Sequence, residues 1–389
     1  MFNFDDGIKR RGTNCVKWDI PIITEDVTPM WIADMDFEVA PAIVDRLHKL
    51  IEQKAFGYQF LSENYYHSII DWMKRRHQYE VAREEICYVP NVVLGLQFGV
   101  QAVSEPGDEI IIMTPVYGPF FKVIQDNGRK LIESPMKNEH GYYMMDLEDF
   151  ESRITGKTKA VIICNPHNPS GRVWTEKELT DLGKICLKHN LYILSDDIHS
   201  ELTAKEHKHT FIGSLSEEFR QRSIIYTSPS KAFNLAGIHV ANCFIANQEL
   251  REQFIEILEK SHAAENNSFA EAALVGAYDE SEEWLDDVNC YIEKNIDYFV
   301  SYIQKNIPAL TVYKPEGTYL VWVDFRRTGI KDKDLQNFMR EECKVFLNEG
   351  TFFGINGEGF MRFNLACPRK QIVPVLERMK ACFDRVEEK

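Results

Sequence analysis

Four unbroken apolar runs, each ending in a short polar sequence, dominate the pattern of this chain. Glu109-Ile110-Ile111-Ile112-Met113 leads into Thr114-Pro115-Val116-Tyr117-Gly118-Pro119, and Ala160-Val161-Ile162-Ile163-Cys164 into Asn165-Pro166-His167-Asn168-Pro169-Ser170-Gly171-Arg172. Leu191-Tyr192-Ile193-Leu194 leads into Ser195-Asp196-Asp197-Ile198-His199, and Ile224-Ile225-Tyr226-Thr227 into Ser228-Pro229-Ser230-Lys231. Runs of this kind, spaced by helical segments, predict parallel strands buried on both faces. In open α/β sheets a ligand lies outside the carboxyl ends of the strands. Tyr117, Asn168, Asp196 and Lys231 are therefore expected to meet around one molecule.

Strand and helix patterns alternate from about Leu47 to Tyr278, which predicts a doubly wound or similar three-layer α/β domain with a mostly parallel sheet. Thr175-Glu176-Lys177-Glu178 has the form of a capping box and predicts a helix start after the second motif. From about Trp284 the pattern changes to long amphipathic helices and a few strands. Thr318 to Val323 reads as a strand and Lys331 to Cys343 as a helix, together a smaller α+β domain. A chain of 389 residues suits this division, because single cores rarely grow past about 250 to 300 residues.

With 44% hydrophobic and 27% charged residues the composition is that of a globular protein. No apolar run approaches the ~20 residues of a membrane span. The opening Met-Phe-Asn-Phe-Asp-Asp lacks a basic region followed by an apolar core, so no secretory signal is expected and the cytoplasm is the expected compartment. A net charge of −15 argues against a nucleic-acid surface, which needs clustered Lys and Arg. The nine cysteines, scattered singly from Cys15 to Cys382 without a Cys-x-x-Cys pair, read as reduced thiols acting as small buried hydrophobes.

The chemistry at the strand ends is more specific. A lone loop lysine is ordinarily a solvated charge, but Lys231 has neighbours. A pyridoxal phosphate (PLP) site needs an imine-forming lysine, a carboxylate that keeps the pyridine nitrogen protonated, a flat group against the ring and an anion cradle. Asp196 suits the carboxylate role, with helix capping as its alternative, and Asp197 is expected to point to the other face of the sheet. Asn168 either serves the turn backbone or donates to the ring's phenolic oxygen. Tyr117 either stacks on the ring or packs in the core. Val92, Val93 and Leu94, at a predicted helix start, offer backbone N–H groups to a phosphate, and Ser228 and Ser230 offer hydroxyls. His207 and His209 with His199 suggest a metal, but their segment reads as a polar loop and no cysteine or carboxylate set completes a tetrahedral site. No metal is expected.

Asn-Pro-His-Asn-Pro-Ser-Gly-Arg, Ser-Asp-Asp-Ile-His and Ser-Pro-Ser-Lys-Ala-Phe-Asn-Leu-Ala-Gly resemble the fold type I PLP enzymes of the class I/II aminotransferase superfamily. Within it the chain looks most like the cystathionine β-lyase (C–S lyase) subgroup typified by MalY and PatB. The resemblance runs from Met30-Trp31-Ile32-Ala33-Asp34-Met35-Asp36-Phe37 to Gly359-Phe360-Met361-Arg362-Phe363-Asn364-Leu365-Ala366. It implies that Lys231 is the Schiff-base lysine, Asp196 the pyridinium partner, Asn168 the contact to the phenolic oxygen, and Tyr117 the stacking ring. Arg362 would grip the substrate α-carboxylate, as its two parallel N–H groups allow. Ile32, Ala33 and Phe353 would wall the substrate pocket, and Tyr58 would reach the phosphate of a neighbouring subunit's site, implying a homodimer with shared active sites. The implied division is an N-terminal segment over 1–46 that covers the site and joins the small domain, a large PLP-binding domain over 47–280, and the rest of the small domain over 281–389. His199 stands where many aminotransferases carry tyrosine, His239 where they carry a phosphate-binding arginine, and Pro229 where alanine is usual. The implied activity is β-elimination from cystathionine or related cysteine S-conjugates to a thiol, pyruvate and ammonia. Transamination of a 2-amino acid and a regulatory binding role on the same fold are the alternatives.

Overall fold

The computed structural model describes residues 2–387; Met1 and residues 388–389 lie outside it. A seven-stranded sheet is built from β1 (Ile86–Val89), β2 (Glu109–Thr114), β3 (Lys130–Pro135), β4 (Thr158–Cys164), β5 (Tyr192–Asp196), β6 (Ser223–Thr227) and β7 (Ala241–Phe244). Its order is β1-β7-β6-β5-β4-β2-β3, and β7 is antiparallel to both its neighbours while the other pairings are parallel. The four apolar runs become β2, β4, β5 and β6, which lie side by side and point the same way. Register sets Asp196 between Cys164 on β4 and Tyr226 on β6.

Successive side chains of these strands divide between two cores, as the pleat requires. Ile111, Met113, Val161, Ile163, Ile193 and Ile225 face one layer of helices. Ile110, Ile112, Ile162, Leu194, Ile224 and Tyr226 face the other. Burying a side chain of this size contributes about 1.5 to 3 kcal/mol, which explains why the strands carry no polar alternation. The second core is completed by the helices Val92–Val103 and Gln248–Lys260. Gly99 sits where the first of these crosses Tyr226, and a Cβ there would overlap the Tyr226 hydroxyl. The capping box at Thr175 is present, with Glu178 N–H donating to Thr175 Oγ1 and Thr175 N–H to Glu178 Oε2.

A second, wholly antiparallel sheet is formed by β8 (Thr311–Val312), β9 (Leu320–Asp324), β10 (Asn348–Glu349) and β11 (Phe360–Asn364) in the order β8-β9-β11-β10. Beside it, Thr28–Pro29 near the N-terminus pairs in parallel with Val345–Phe346. The strand expected from Thr318 begins instead at Leu320. Thr318 adopts a left-handed φ of 68°, and its hydroxyl accepts the N–H of Leu320 at 3.0 Å, a turn the apolar pattern does not signal. The helix expected over 331–343 spans Asp332–Glu341. Eight cysteines are buried as expected and Cys290 is exposed, because it lies on the outer side of the helix Glu282–Asn306. The His207–His209 segment is not a wholly solvated loop: His209 is buried, with Nε2 3.0 Å from Asp197 Oδ1. Among the described residues no group of three or more His, Cys, Asp or Glu is placed to hold a metal ion, and no helix is long and apolar enough to cross a membrane.

Candidate active site

The carboxyl ends of β2, β4, β5 and β6 open into one cavity, together with the start of the helix Val92–Val103. Tyr117, Asn168, Asp196, His199 and Lys231 line it, as do Val92, Val93, Ser228, Ser230 and His239. Lys231 reaches it because the chain winds tightly after β6, with Phe233 N–H bonding Pro229 O at 2.9 Å and Leu235 N–H bonding Ser230 O at 2.9 Å. Its Nζ donates to the Ala33 carbonyl at 2.8 Å. Burial lowers the amine's pKa to about 8, reinforced by Arg362 and opposed by Asp34 and Asp196.

Asp196 lines the same cavity and is 3% exposed. Desolvation pushes its carboxyl up to about 7, against the pull of the Ile198 N–H, which donates to Oδ1 at 3.2 Å. Asp197 turns away from the cavity toward His209, as strand geometry predicts. Burial also holds His199 well below the usual histidine range, so its ring is neutral.

Arg362 is carried by β11 from the second sheet. Its Nη1 donates to Asn168 Oδ1 at 2.9 Å and its Nη2 to the Trp31 carbonyl at 2.7 Å. Burial lowers its pKa to about 10, which leaves it cationic at neutral pH. The guanidinium lies over Phe353 at 5.0 Å. Because Asn168 gives its oxygen to Arg362, its amide N–H groups are the part left to donate to a ligand.

The residues present fit PLP. Asp196 is a buried acid with no hydrogen-bonded cation, and a protonated ring nitrogen would supply one. In the same cavity, Asn91 Oδ1 caps the N–H of Leu94 at 2.9 Å, while the first N–H groups of a helix have no intrahelical partner. Val92 and Val93 thus present donors at a positive helix end, a ready phosphate site. His199 Nδ1 and Arg362 Nε are buried without a protein partner, as expected where a ligand completes the bonding. The two serines differ. Ser228 Oγ faces the Val240 carbonyl at 2.6 Å and accepts Ser230 N–H at 3.0 Å, so its hydrogen is engaged within the turn. Ser230 Oγ lies 2.8 Å from Ser228 Oγ, so its hydroxyl is joined to the same turn and only its remaining bonding capacity is open to an anion.

Tyr58 is not part of this cavity. It is 97% exposed, beside Phe60 and Ser268 in a separate surface hollow. Ile32 and Ala33, expected as substrate-pocket walls, do not line the cavity; Ala33 meets it through the carbonyl that Lys231 bonds, and two asparagines that the motifs contain hold their segment in place. Asn364 Nδ2 bonds the carbonyls of Ile32 and Asp34, both at 2.7 Å. Asn234 accepts Met35 N–H at 3.1 Å and bonds the carbonyls of Met35 and Phe37 at 3.2 and 3.0 Å. An asparagine set between Phe and Leu in each of Arg-Phe-Asn-Leu and Lys-Ala-Phe-Asn-Leu is the signal for this clamp.

Residues 25–379 match the model of the family described as aminotransferase class I and II. The chain belongs to that family. It is 38% identical to cystathionine beta-lyase PatB of Bacillus subtilis, over 97% of this chain and 99% of that one. Among solved structures it is similar to cystalysin from Treponema denticola, which contains a pyridoxal 5'-phosphate cofactor (TM-score 0.96, 34% identity, 99% of each chain). It is also similar to the PLP-bound C-S lyase of Staphylococcus hominis (TM-score 0.93, 31% identity, 98% of each chain). The three-layer α/β fold and the resemblance to the lyase subgroup, both expected from the motifs, are shown by these similarities.

Proposed function

We propose that the protein is a PLP-dependent carbon–sulfur β-lyase that cleaves cystathionine or related cysteine S-conjugates to a thiol, pyruvate and ammonia. The observation that carries this reading is the convergence of Lys231, Asp196 and the Asn168–Arg362 pair on one buried cavity, in a chain similar over nearly its whole length to named C–S lyases. PLP, when bound, supplies an aldehyde for the substrate amine and an electron-withdrawing ring for the electron pair released at the α-carbon. Asp196 would hold the ring nitrogen, and Asn168 would donate to the phenolic oxygen. Tyr117 would lie against the ring, and the Val92 and Val93 N–H groups with Ser230 would take the phosphate.

Arg362 would receive the substrate α-carboxylate and so orient the α-carbon toward Lys231. Lys231 removes the α-proton. An amine whose pKa is near 8 is neutral in a useful fraction at physiological pH, whereas a solvated lysine is not. Loss of the β-carbon's thiolate then completes the elimination, and water hydrolyses the remaining enamine to pyruvate and ammonia.

Tyr58, with Phe60 and Phe56 exposed beside it, forms an aromatic surface suited to subunit contact. In the proposed homodimer Tyr58 reaches the partner's phosphate. The nine cysteines, all free thiols, support work in the cytoplasm.

The deciding experiment incubates the purified protein with cystathionine, with and without a 2-oxo acid. Pyruvate and free thiol formed without an acceptor are expected. Strict dependence on the oxo acid would overturn the lyase reading in favour of transamination.

A further inference from the structure

The strip Pro315–Thr318 that leads into β9 is stitched to both loops that carry the cofactor-facing groups of β4 and β5. Glu316 N–H and Gly317 N–H both donate to Gly171 O at 2.8 Å, and Ala204 N–H donates to Glu316 O at 2.8 Å. Thr203 and Gly317 form a β-bridge. Only glycine fits at 171, where φ is +73° and a Cβ would overlap Pro315.

The charged link in this contact is buried. Arg172, 1% exposed, donates through Nε to Glu316 Oε2 at 2.8 Å and through Nη2 to Glu178 at 3.0 and 3.1 Å. Its Nη1 bonds the Tyr143 carbonyl, and its plane lies over Tyr142 and Trp174. Glu316 Oε2 also accepts Val173 N–H at 2.9 Å. Four residues before Arg172 stands Asn168, which receives Arg362. Arg362 faces Trp322 across the β9–β11 register, and β9 begins four residues after Glu316. The path therefore closes on itself: Asn168 to Arg362, across β11 and β9 to Glu316, and through Arg172 back to Asn168.

We propose that Glu316 is a positioning residue for the substrate carboxylate site: through Arg172 it fixes the Asn168 loop against the strand that presents Arg362. The inference rests on the lyase reading and assigns to Glu316 a role in binding, without contact to the substrate. Glu316→Gln removes one of the two carboxylates paired with Arg172 and leaves Glu178 as the other, so the charged tie from Arg172 to the strip before β9 weakens and the loop that Arg172 ends is expected to shift.

The test uses holoenzyme and two probes with the same side chain, L-methionine and 3-(methylthio)propylamine, which differ by the α-carboxylate. Each is titrated against the visible cofactor absorption. In Glu316→Gln the dissociation constant for L-methionine is expected to rise tenfold or more, while that for the amine stays within about twofold. Adding Glu316→Gln to Arg362→Lys is expected to change neither constant further, because the grip is already lost. Equal changes for both probes, no change for either, or a full Glu316→Gln penalty in the Arg362→Lys background would overturn the proposal. If Glu316→Gln does not fold, Glu316→Asp carries the test with the same discrimination between probes expected. The lyase reading is tested separately, by pyruvate release from cystathionine; a wild-type holoenzyme that binds L-methionine no more tightly than the amine would overturn the proposal while leaving that reading in place.

Discussion

Replacing Asp196 with Asn is expected to stabilise the cofactor-free protein while weakening its hold on the cofactor. The carboxyl of Asp196 is buried, and desolvation raises its pKa to about 7; in an unfolded chain it titrates near ~3.9. Between those values the folded protein binds more protons than the unfolded one, so stability falls as pH rises, and the full penalty stands above pH 7. At about 1.4 kcal/mol per pH unit the penalty is about 1 to 2 kcal/mol at pH 5 and about 4 kcal/mol at pH 8. Asn keeps the oxygen that accepts the Ile198 N–H and does not titrate. Urea unfolding of both cofactor-free proteins at the two pH values measures the effect, and groups unconnected to Asp196 cancel in the difference. The variant should gain on the wild type by about 2 to 3 kcal/mol between pH 5 and pH 8. Lys231 works in the same direction, since losing the carboxylate lowers its pKa further. Parallel pH profiles, or a wild type that gains on the variant toward pH 8, would refute the reasoning. With the cofactor present the order should reverse, because only the carboxylate can stabilise a protonated ring nitrogen.

Three further substitutions probe other parts of the site. Lys231→Ala should abolish both turnover and the visible absorption of the reconstituted protein, and undiminished activity would remove Lys231 from the mechanism. Asn364→Ala deletes the two bonds to Ile32 and Asp34, at about 1 kcal/mol or more each. Steady-state kinetics should show KM rising more than kcat falls, because the segment that meets Lys231 and Arg362 is loosened; an unchanged KM would count against the clamp. Gly171→Ala combines a left-handed backbone with overlap on Pro315 and should lower stability by more than about 1 to 2 kcal/mol, read as a reduced urea midpoint.

What the sequence made legible is what depends on neighbours along the chain. β2, β4, β5 and β6 announce themselves because a strand covered on both faces has no polar alternation, and their polar ends follow within a few residues. The capping box at Thr175 is equally local. The interactions that hold the site closed are not local. Asn364 reaches carbonyls more than 300 positions away, backbone groups that carry no residue signature, and Glu316 meets Arg172 across 144 positions, a separation at which nothing along the chain pairs them. Ser228 shows the same limit at short range: its place in the motif was readable, but the direction of its hydroxyl depends on Val240, twelve residues on. His209 read as part of a polar loop because its neighbours are charged, and only the sheet's second face, where Asp197 waits, makes it a core residue. The motifs thus name the groups that meet the ligand, while the geometry that makes them act together comes from asparagines, carboxylates and glycines placed by the tertiary fold. Variants of these supporting residues therefore test the site more sharply than further substitutions at Lys231, because they alter geometry while leaving every reacting group in place.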